Sequence, residues 1–218
     1  MKHPLKKMLA RIEEAVKDYP KAAMFELYEQ GYNTLFEQLV SCIISIRTLD
    51  ETTIPLSLKL FKEARTPDAL KRLGRDKIAD ILYGSTFPGQ KADTMLAIAD
   101  FALAQKSGVL PPDYDALTSI KGVGPKCANL ALGVGLQVPA ISVDVHVHRV
   151  VNRWGLIETA APEKTMKALE VIVPKEGWID INRLLMPFGK HICTYRLPHC
   201  STCPVAEWCE RVGVTKHR

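Results

Sequence analysis

Four cysteines, Cys193, Cys200, Cys203 and Cys209, fall within seventeen residues near the end of this 218-residue chain, with six, two and five residues between them. Thiols at that density either close disulfides in a secreted protein or wrap a metal centre in a reducing compartment. The first twenty residues do not read as a targeting segment: Lys2, Lys6, Lys7 and Arg11 are interrupted by Glu13, Glu14 and Asp18, and no long apolar core follows. The spacing therefore argues for metal, and for a C-terminal loop shaped by its ligands. Four thiolates on so short a loop suit a tetrahedral Zn²⁺ or a [4Fe-4S] cube, and residue types alone do not separate the two. Cys42 and Cys127 lie apart, in apolar helical stretches, and read as inert buried thiols.

The rest of the chain reads as helix, with no convincing strand. Leu5, Met8, Leu9, Ile12 and Val16 recur at helical intervals and predict an amphipathic helix that ends at Tyr19-Pro20. Thr34 is placed to cap a nearly all-apolar helix running through Ile44, and Asp50 to cap a third helix that reaches about Ala64. Short helices follow from Thr66-Pro67 and from Arg75, and a turn-rich loop over residues 84–93 opens a long helix to about Gln105. Further helices are predicted from Val145 to Trp154, near Pro162 to Val173 and near Trp178 to Phe188. With 47% hydrophobic and 24% charged residues the chain can bury one or two ordinary cores. No run of about eighteen apolar residues exists, so no membrane span is expected. A net charge of +5 permits a polyanionic partner without requiring one, since a local basic face matters more than the total.

The stretch most suited to chemistry is Leu117-Thr118-Ser119-Ile120-Lys121-Gly122-Val123-Gly124-Pro125-Lys126-Cys127-Ala128. The glycines flanking Val123 allow a tight turn with positive φ, and Pro125 fits the first turn of a helix. Backbone N–H groups around Gly122 and Gly124 then lie at the positive end of a helix dipole and suit a phosphate oxygen. Lys126 sits one residue inside that helix start, where an ammonium is disfavoured and the free amine, a nucleophile, is favoured. Beyond a break at Pro139 comes Ser142-Val143-Asp144-Val145-His146, in which Asp144 is a natural N-cap and can also serve as a catalytic carboxylate.

The pattern Leu-x-x-Ile-Lys-Gly-Val-Gly-Pro-Lys-Cys-Ala, with Val-Asp-Val-His placing Asp144 eighteen residues after Lys126, resembles the helix-hairpin-helix, Gly-Pro and Asp signature of endonuclease III-like DNA glycosylases. The C-x6-C-x2-C-x5-C loop is similar to that family's cluster loop, interval for interval. The two motifs are independent, and the resemblance runs from about Thr34 to Cys209. It implies an all-α protein of two helical domains: a six-helix barrel over residues 28–138 containing the hairpin, and a cluster domain built from 1–27 and 139–218, with a DNA-binding cleft between them. It implies a bifunctional DNA glycosylase and abasic-site (AP) lyase of base excision repair that removes oxidised pyrimidines. Lys126 would attack the sugar C1′, Asp144 would assist, and Cys193, Cys200, Cys203 and Cys209 would hold a [4Fe-4S] cluster. The partner would be double-stranded DNA containing damaged pyrimidines or abasic sites, and the enzyme an intracellular monomer of the cytoplasm or nucleoid.

The resemblance places DNA contacts at Arg47 and Phe87, and Gln90, Lys121, Gly122, Val123, Gly124 and Arg196 are expected to contact DNA as well. His199 could reach a phosphate too, and Lys190, Arg211, Lys216 and Arg218 make this end of the chain basic. Two positions depart from the family pattern. Arg47 stands in Ser45-Ile46-Arg47-Thr48-Leu49-Asp50 where the family carries a Gln that enters the space left by the damaged base. Arg can fill such a gap and stack on bases, but it cannot accept a hydrogen bond. Phe87 occupies the place of the family's apolar wedge, and insertion between bases is a known use of such a side chain. The Pro88-Gly89-Gln90 that follows differs from the commoner pattern. These departures leave open an AP lyase or glycosylase of altered or narrow lesion specificity. Rivals of another kind are a non-catalytic DNA-binding helix-hairpin-helix protein and a redox protein built on the cluster.

Overall fold

The run Leu35–Ser45 folds as the core helix its composition predicts, in a computed structural model that describes residues 3–218. Twelve α-helices follow one another among the described residues: α1 (Leu5–Val16), α2 (Ala23–Glu29), α3 (Leu35–Ser45), α4 (Asp50–Glu63), α5 (Pro67–Leu73), α6 (Arg75–Ile81), α7 (Pro88–Leu103), α8 (Tyr114–Ser119), α9 (Pro125–Leu136), α10 (Val145–Arg153), α11 (Pro162–Ile172) and α12 (Trp178–His191). Strands are absent among these residues, apart from an isolated bridge between Tyr83 and Ser85. The chain divides into two units, Ala23–Ala140 and Met1–Ala22 with Ile141–Arg218.

In the unit Ala23–Ala140, α3 is buried on all sides from Leu35 to Ile44, including its polar residues Glu37, Gln38 and Ser41. Its start is fixed by a capping box: Glu37 N–H donates to Thr34 Oγ1 (3.2 Å) and Thr34 N–H donates to Glu37 Oε2 (3.1 Å). The other carboxylate oxygen of the buried Glu37 accepts from Arg65 Nε at 2.7 Å. Helices α2, α4, α7 and α9 pack around α3. The sequence reading missed α2. It is seven residues long, too short to display a period, and it stands by burying Ala23, Met24 and Leu27 rather than by propensity. The division between the two units falls at Ala22–Ala23, just ahead of this helix, and at Ala140–Ile141. Asp50 is another correction: the N-cap of α4 is Leu49, and Asp50 is the first helical residue, where its charge complements the helix dipole without capping.

In the other unit, α1 lays Met8, Ile12 and Val16 against α12, and Trp154 and Phe188 fill the centre with ring centroids 6.2 Å apart. Gly189 permits the close passage of α10, since a Cβ there would lie 2.8 Å from His146 Cβ. Arg183 bridges Glu13 on α1 and Asp180 on its own helix, both at 2.7 Å. Arg11 pairs with Glu207 and stacks over Trp208 at 4.4 Å, which ties the N-terminal helix to the cysteine loop.

Candidate active site

The hairpin between α8 and α9 is set by a turn in which Val123 N–H donates to Ile120 O at 3.0 Å. Ile120 and Val123 anchor it in the core, and Lys121 and Gly122 stand exposed at its tip. Gly122 has φ +92°, as the third residue of such a turn often does. Gly124 does not share that geometry: at φ −101° and ψ 173° it is extended backbone and the N-cap of α9, so only one of the two glycines needs to be glycine on conformational grounds. A Cβ on Gly122 would also meet Thr94 Oγ1 at 2.4 Å. Gly122→Ala is therefore expected to cost about 1–3 kcal/mol of stability in denaturant titration. Gly124→Ala, with no atom within 4 Å of the new methyl group, should stay within about 0.5 kcal/mol of the parent.

Pro125 and Lys126 are the first two residues of α9, and the Lys126 side chain is half-buried. The first-turn N–H groups of a helix have no carbonyl ahead of them, and they mark the positive end of its dipole. Behind Lys126, Cys127 lies in the core beside Cys42; that contact and burial push its thiol well above the ordinary range, so it stays neutral and unreactive.

Asp144 is the N-cap of α10. Its Oδ1 accepts from the N–H groups of His146 and Val147, both at 2.9 Å, and its Oδ2 accepts from Asn182 Nδ2 at 3.5 Å. Asn182 is buried in α12, and the sequence reading missed it. One carboxylate oxygen is committed to the cap, which fixes the group's orientation, and the other accepts a long hydrogen bond from Asn182. Lys126 belongs to the unit Ala23–Ala140, and Asp144 to the other.

Arg47 and Phe87 share an unusual feature. Both are exposed, and both take left-handed backbone, at φ 52° and 51°. For a bulky residue that conformation costs about 1–3 kcal/mol and persists only where its surroundings impose it. The surroundings are Thr48, Thr86 and Lys91, three further residues that the sequence reading missed. Lys91 is buried in α7, and burial pushes its ammonium down to about 8. Gln90 is exposed in the first turn of the same helix. Arg196 is exposed on the cysteine loop, in the other unit from the hairpin.

Cys193, Cys200, Cys203 and Cys209 line one open cavity, with Arg153, Trp154, Phe188 and Arg211 around them. Short turns of 3-10 helix, Cys200–Thr202 and Ala206–Trp208, shape the loop that carries them. Arg153 Nη1 lies 3.5 Å from Cys193 Sγ, and Arg211 N–H donates to Cys209 Sγ at 3.4 Å. Burial, reinforced by the neighbouring sulfurs, raises the Cys200, Cys203 and Cys209 thiols, Cys203 to about 11. Four thiolates gathered here call for a cation among them. Among the described residues no three His, Cys, Asp or Glu side chains converge closely enough to hold a single metal ion. A mononuclear tetrahedral site with metal–sulfur bonds of about 2.3 Å needs its sulfurs about 3.8 Å apart, whereas a cube spreads its four ligands over a larger group. Four cysteine sulfurs around one cavity fit a thiolate-bound metal centre of either kind.

A helical protein with a glycine-proline hairpin ahead of one helix and a capping aspartate at the start of the next falls into a recognised class of DNA repair proteins. The chain belongs to the HhH-GPD superfamily of base excision DNA repair proteins, which it matches over residues 40–175. Within it, the chain is 37% identical to endonuclease III of Thermotoga maritima over 175 residues, covering 80% of this chain and 82% of that one. It is 30% identical to endonuclease III of Escherichia coli over 182 residues, covering 84% and 86%. The fold superposes on the solved structure of a trapped endonuclease III-DNA covalent intermediate with a TM-score of 0.83 and 25% identity, covering 97% of this chain and 96% of that one. A thermostable thymine-DNA glycosylase shares the fold at a TM-score of 0.82 and 20% identity, with 94% and 95% covered.

Proposed function

We propose that this chain is a bifunctional DNA glycosylase and AP lyase of base excision repair, acting as a monomer on double-stranded DNA that contains oxidised pyrimidines or abasic sites. The observation that carries the reading is Lys126 at the second position of α9, directly after the hairpin. A primary amine at a helix start, beside N–H groups suited to phosphate, is placed for covalent attack on a sugar.

The chemistry runs as follows. The damaged nucleotide is flipped from the stack, which is easiest where a lesion already pairs poorly. The neutral amine of Lys126 attacks C1′ as the C1′–N bond to the base breaks and its electron pair leaves with the base, which takes up a proton. Asp144, oriented by its cap bonds, offsets the positive charge that builds on the sugar through Oδ2. Loss of the amine proton and opening of the ring give a Schiff base between Lys126 and C1′. Removal of a C2′ proton then forms the C2′–C3′ double bond and expels the 3′ phosphate, and water releases the sugar from Lys126. The strand is cut by β-elimination.

The four cysteines would hold a [4Fe-4S] cluster, whose contribution when bound is to fold and position the loop that carries Arg196. The hairpin tip, Lys121 to Gly124, and Gln90 would contact phosphate, while Arg47 and Phe87 would enter the duplex. Their departure from the family pattern favours one second reading, the same lyase with a shifted lesion preference. A panel of duplexes containing thymine glycol, dihydrouracil, uracil or an abasic site tests both. Excision of the two oxidised or reduced pyrimidines with nicking is expected, and binding should weaken steeply as salt rises. Cutting of abasic sites alone would reduce the enzyme to a lyase, and inertness of cluster-loaded protein towards every duplex would leave only a binding module.

A further inference from the structure

Lys91 lies four residues beyond Phe87, one turn into α7, where the helix presents Met95, Ile98 and Ala102 to the core. A lysine on that face needs a reason to be there. Its Nζ donates to Ile44 O at 2.7 Å, to Thr48 Oγ1 at 2.8 Å and to Thr86 Oγ1 at 3.3 Å. Thr86 Oγ1 in turn donates to Ile46 O at 3.0 Å, and Thr86 N–H reaches Thr48 Oγ1 at 3.4 Å. Every acceptor of the ammonium is a neutral oxygen, and together they belong to the two segments that carry Arg47 and Phe87. Each of those two residues is flanked by members of the network, Arg47 by Ile46 and Thr48, and Phe87 by Thr86. Each is also held in left-handed backbone that its side chain disfavours.

The exposed side chains around the network have the same bias. Ile46, Leu49, Tyr83 and Phe87 are 39, 70, 86 and 55% exposed. Apolar and aromatic groups concentrated on two short segments suit the faces of unstacked bases.

We propose that Lys91 is a positioning residue, a clamp that joins the Arg47 and Phe87 segments into one rigid element, so that both side chains enter the duplex at a fixed separation. The proposal rests on the DNA glycosylase reading above. It assigns Lys91 no contact with the reacting atoms: its role is to hold two neighbouring backbone segments in the one arrangement from which they can act together.

The test uses the cluster-loaded full chain with Lys91→Met, which keeps the apolar stem and removes the donors. Thr86→Val, nearly isosteric, serves as a milder second variant should the first fail to fold. Amide hydrogen exchange over residues 45–49 and 84–88, measured without DNA, is expected to accelerate at least about tenfold in either variant, since these segments lose their shared anchor. Excision from a lesion-containing duplex should fall about tenfold or more, while nicking of an abasic site in a single-stranded oligonucleotide, where no stack has to be opened, changes by less than about twofold. In an Arg47→Ala, Phe87→Ala background the further loss from Lys91→Met should shrink to less than about twofold, because nothing remains to be positioned. Unchanged exchange in both segments, or an undiminished tenfold loss in that background, would overturn the clamp. If the parent protein excises nothing, the proposed function fails while the exchange measurement still decides the role of Lys91.

Discussion

Lys126→Gln is expected to abolish the covalent adduct that borohydride freezes between the protein and an abasic-site duplex, and to lower strand cleavage by at least about a thousandfold. The amide nitrogen of glutamine has its lone pair delocalised into the carbonyl, so it forms no imine, and without an imine at C1′ the C2′ proton is far less acidic and is lost only slowly. Affinity for the same duplex should stay within about threefold, because phosphate binding at a hairpin rests on backbone N–H groups that the substitution leaves in place. Asp144→Asn separates the two duties of the aspartate. Asparagine caps helices as well as aspartate does, so the bonds to His146 and Val147 persist and the fold is kept. The charge is lost, and cleavage should slow by about a hundredfold. An adduct that survives in Lys126→Gln would mean that another amine attacks, and the assignment of the nucleophile would fall with it.

What the sequence revealed about this site follows from how local each feature is. Lys126 is legible because hairpin, proline and helix start are consecutive residues, and Asp144 because an N-cap is a matter of two or three positions. The cysteine loop is legible because its ligands are crowded into one segment. Asn182, 38 residues from the Asp144 that it steadies, left no local trace. Lys91 left a faint one, a cation on an otherwise apolar helix face, but its acceptors Ile44 and Thr48 are 47 and 43 residues away, and only the folded chain shows what they share. The errors have the same origin. Glycine at position 124 suggested a positive φ that the turn demands only of Gly122, and an Asp after a polar break suggested a cap where the backbone had already turned helical at Asp50. In each case residue type narrowed the options, and the backbone path, fixed by packing elsewhere, chose among them.

The cysteine loop supplies the second large effect. Between Cys193 and Cys209 the regular structure is limited to single turns of 3-10 helix, and apart from buried Val205 and Arg11 stacked on Trp208 the attachments are polar. Arg153 donates to Thr194 O and Tyr195 O at 2.7 and 2.6 Å, His199 N–H to Ile192 O at 3.0 Å, Ser201 N–H to Arg218 O at 2.9 Å and Arg11 to Pro204 O at 3.2 Å, beside the Arg11–Glu207 pair. A segment with so little regular structure cannot offset its own ordering entropy. A metal centre held by the four cysteines would supply the difference, and its binding energy would become folding energy of the unit Met1–Ala22 with Ile141–Arg218. The purified protein is accordingly expected to contain about four irons per chain and to absorb broadly in the visible, as a thiolate-ligated [4Fe-4S] cluster does. Stripping the iron, or replacing Cys203 by Ala, should destabilise this unit by about 4 kcal/mol or more. Fluorescence of Trp154 and Trp208 should report the loss, because Trp154 borders the cavity and Trp208 lies on the loop itself. The unit Ala23–Ala140 has its own core and should keep its helicity through the same treatment. A colourless protein carrying one zinc per chain would replace the cluster by a mononuclear site, and a loop whose unit melts at the same temperature with and without metal would remove the folding role altogether.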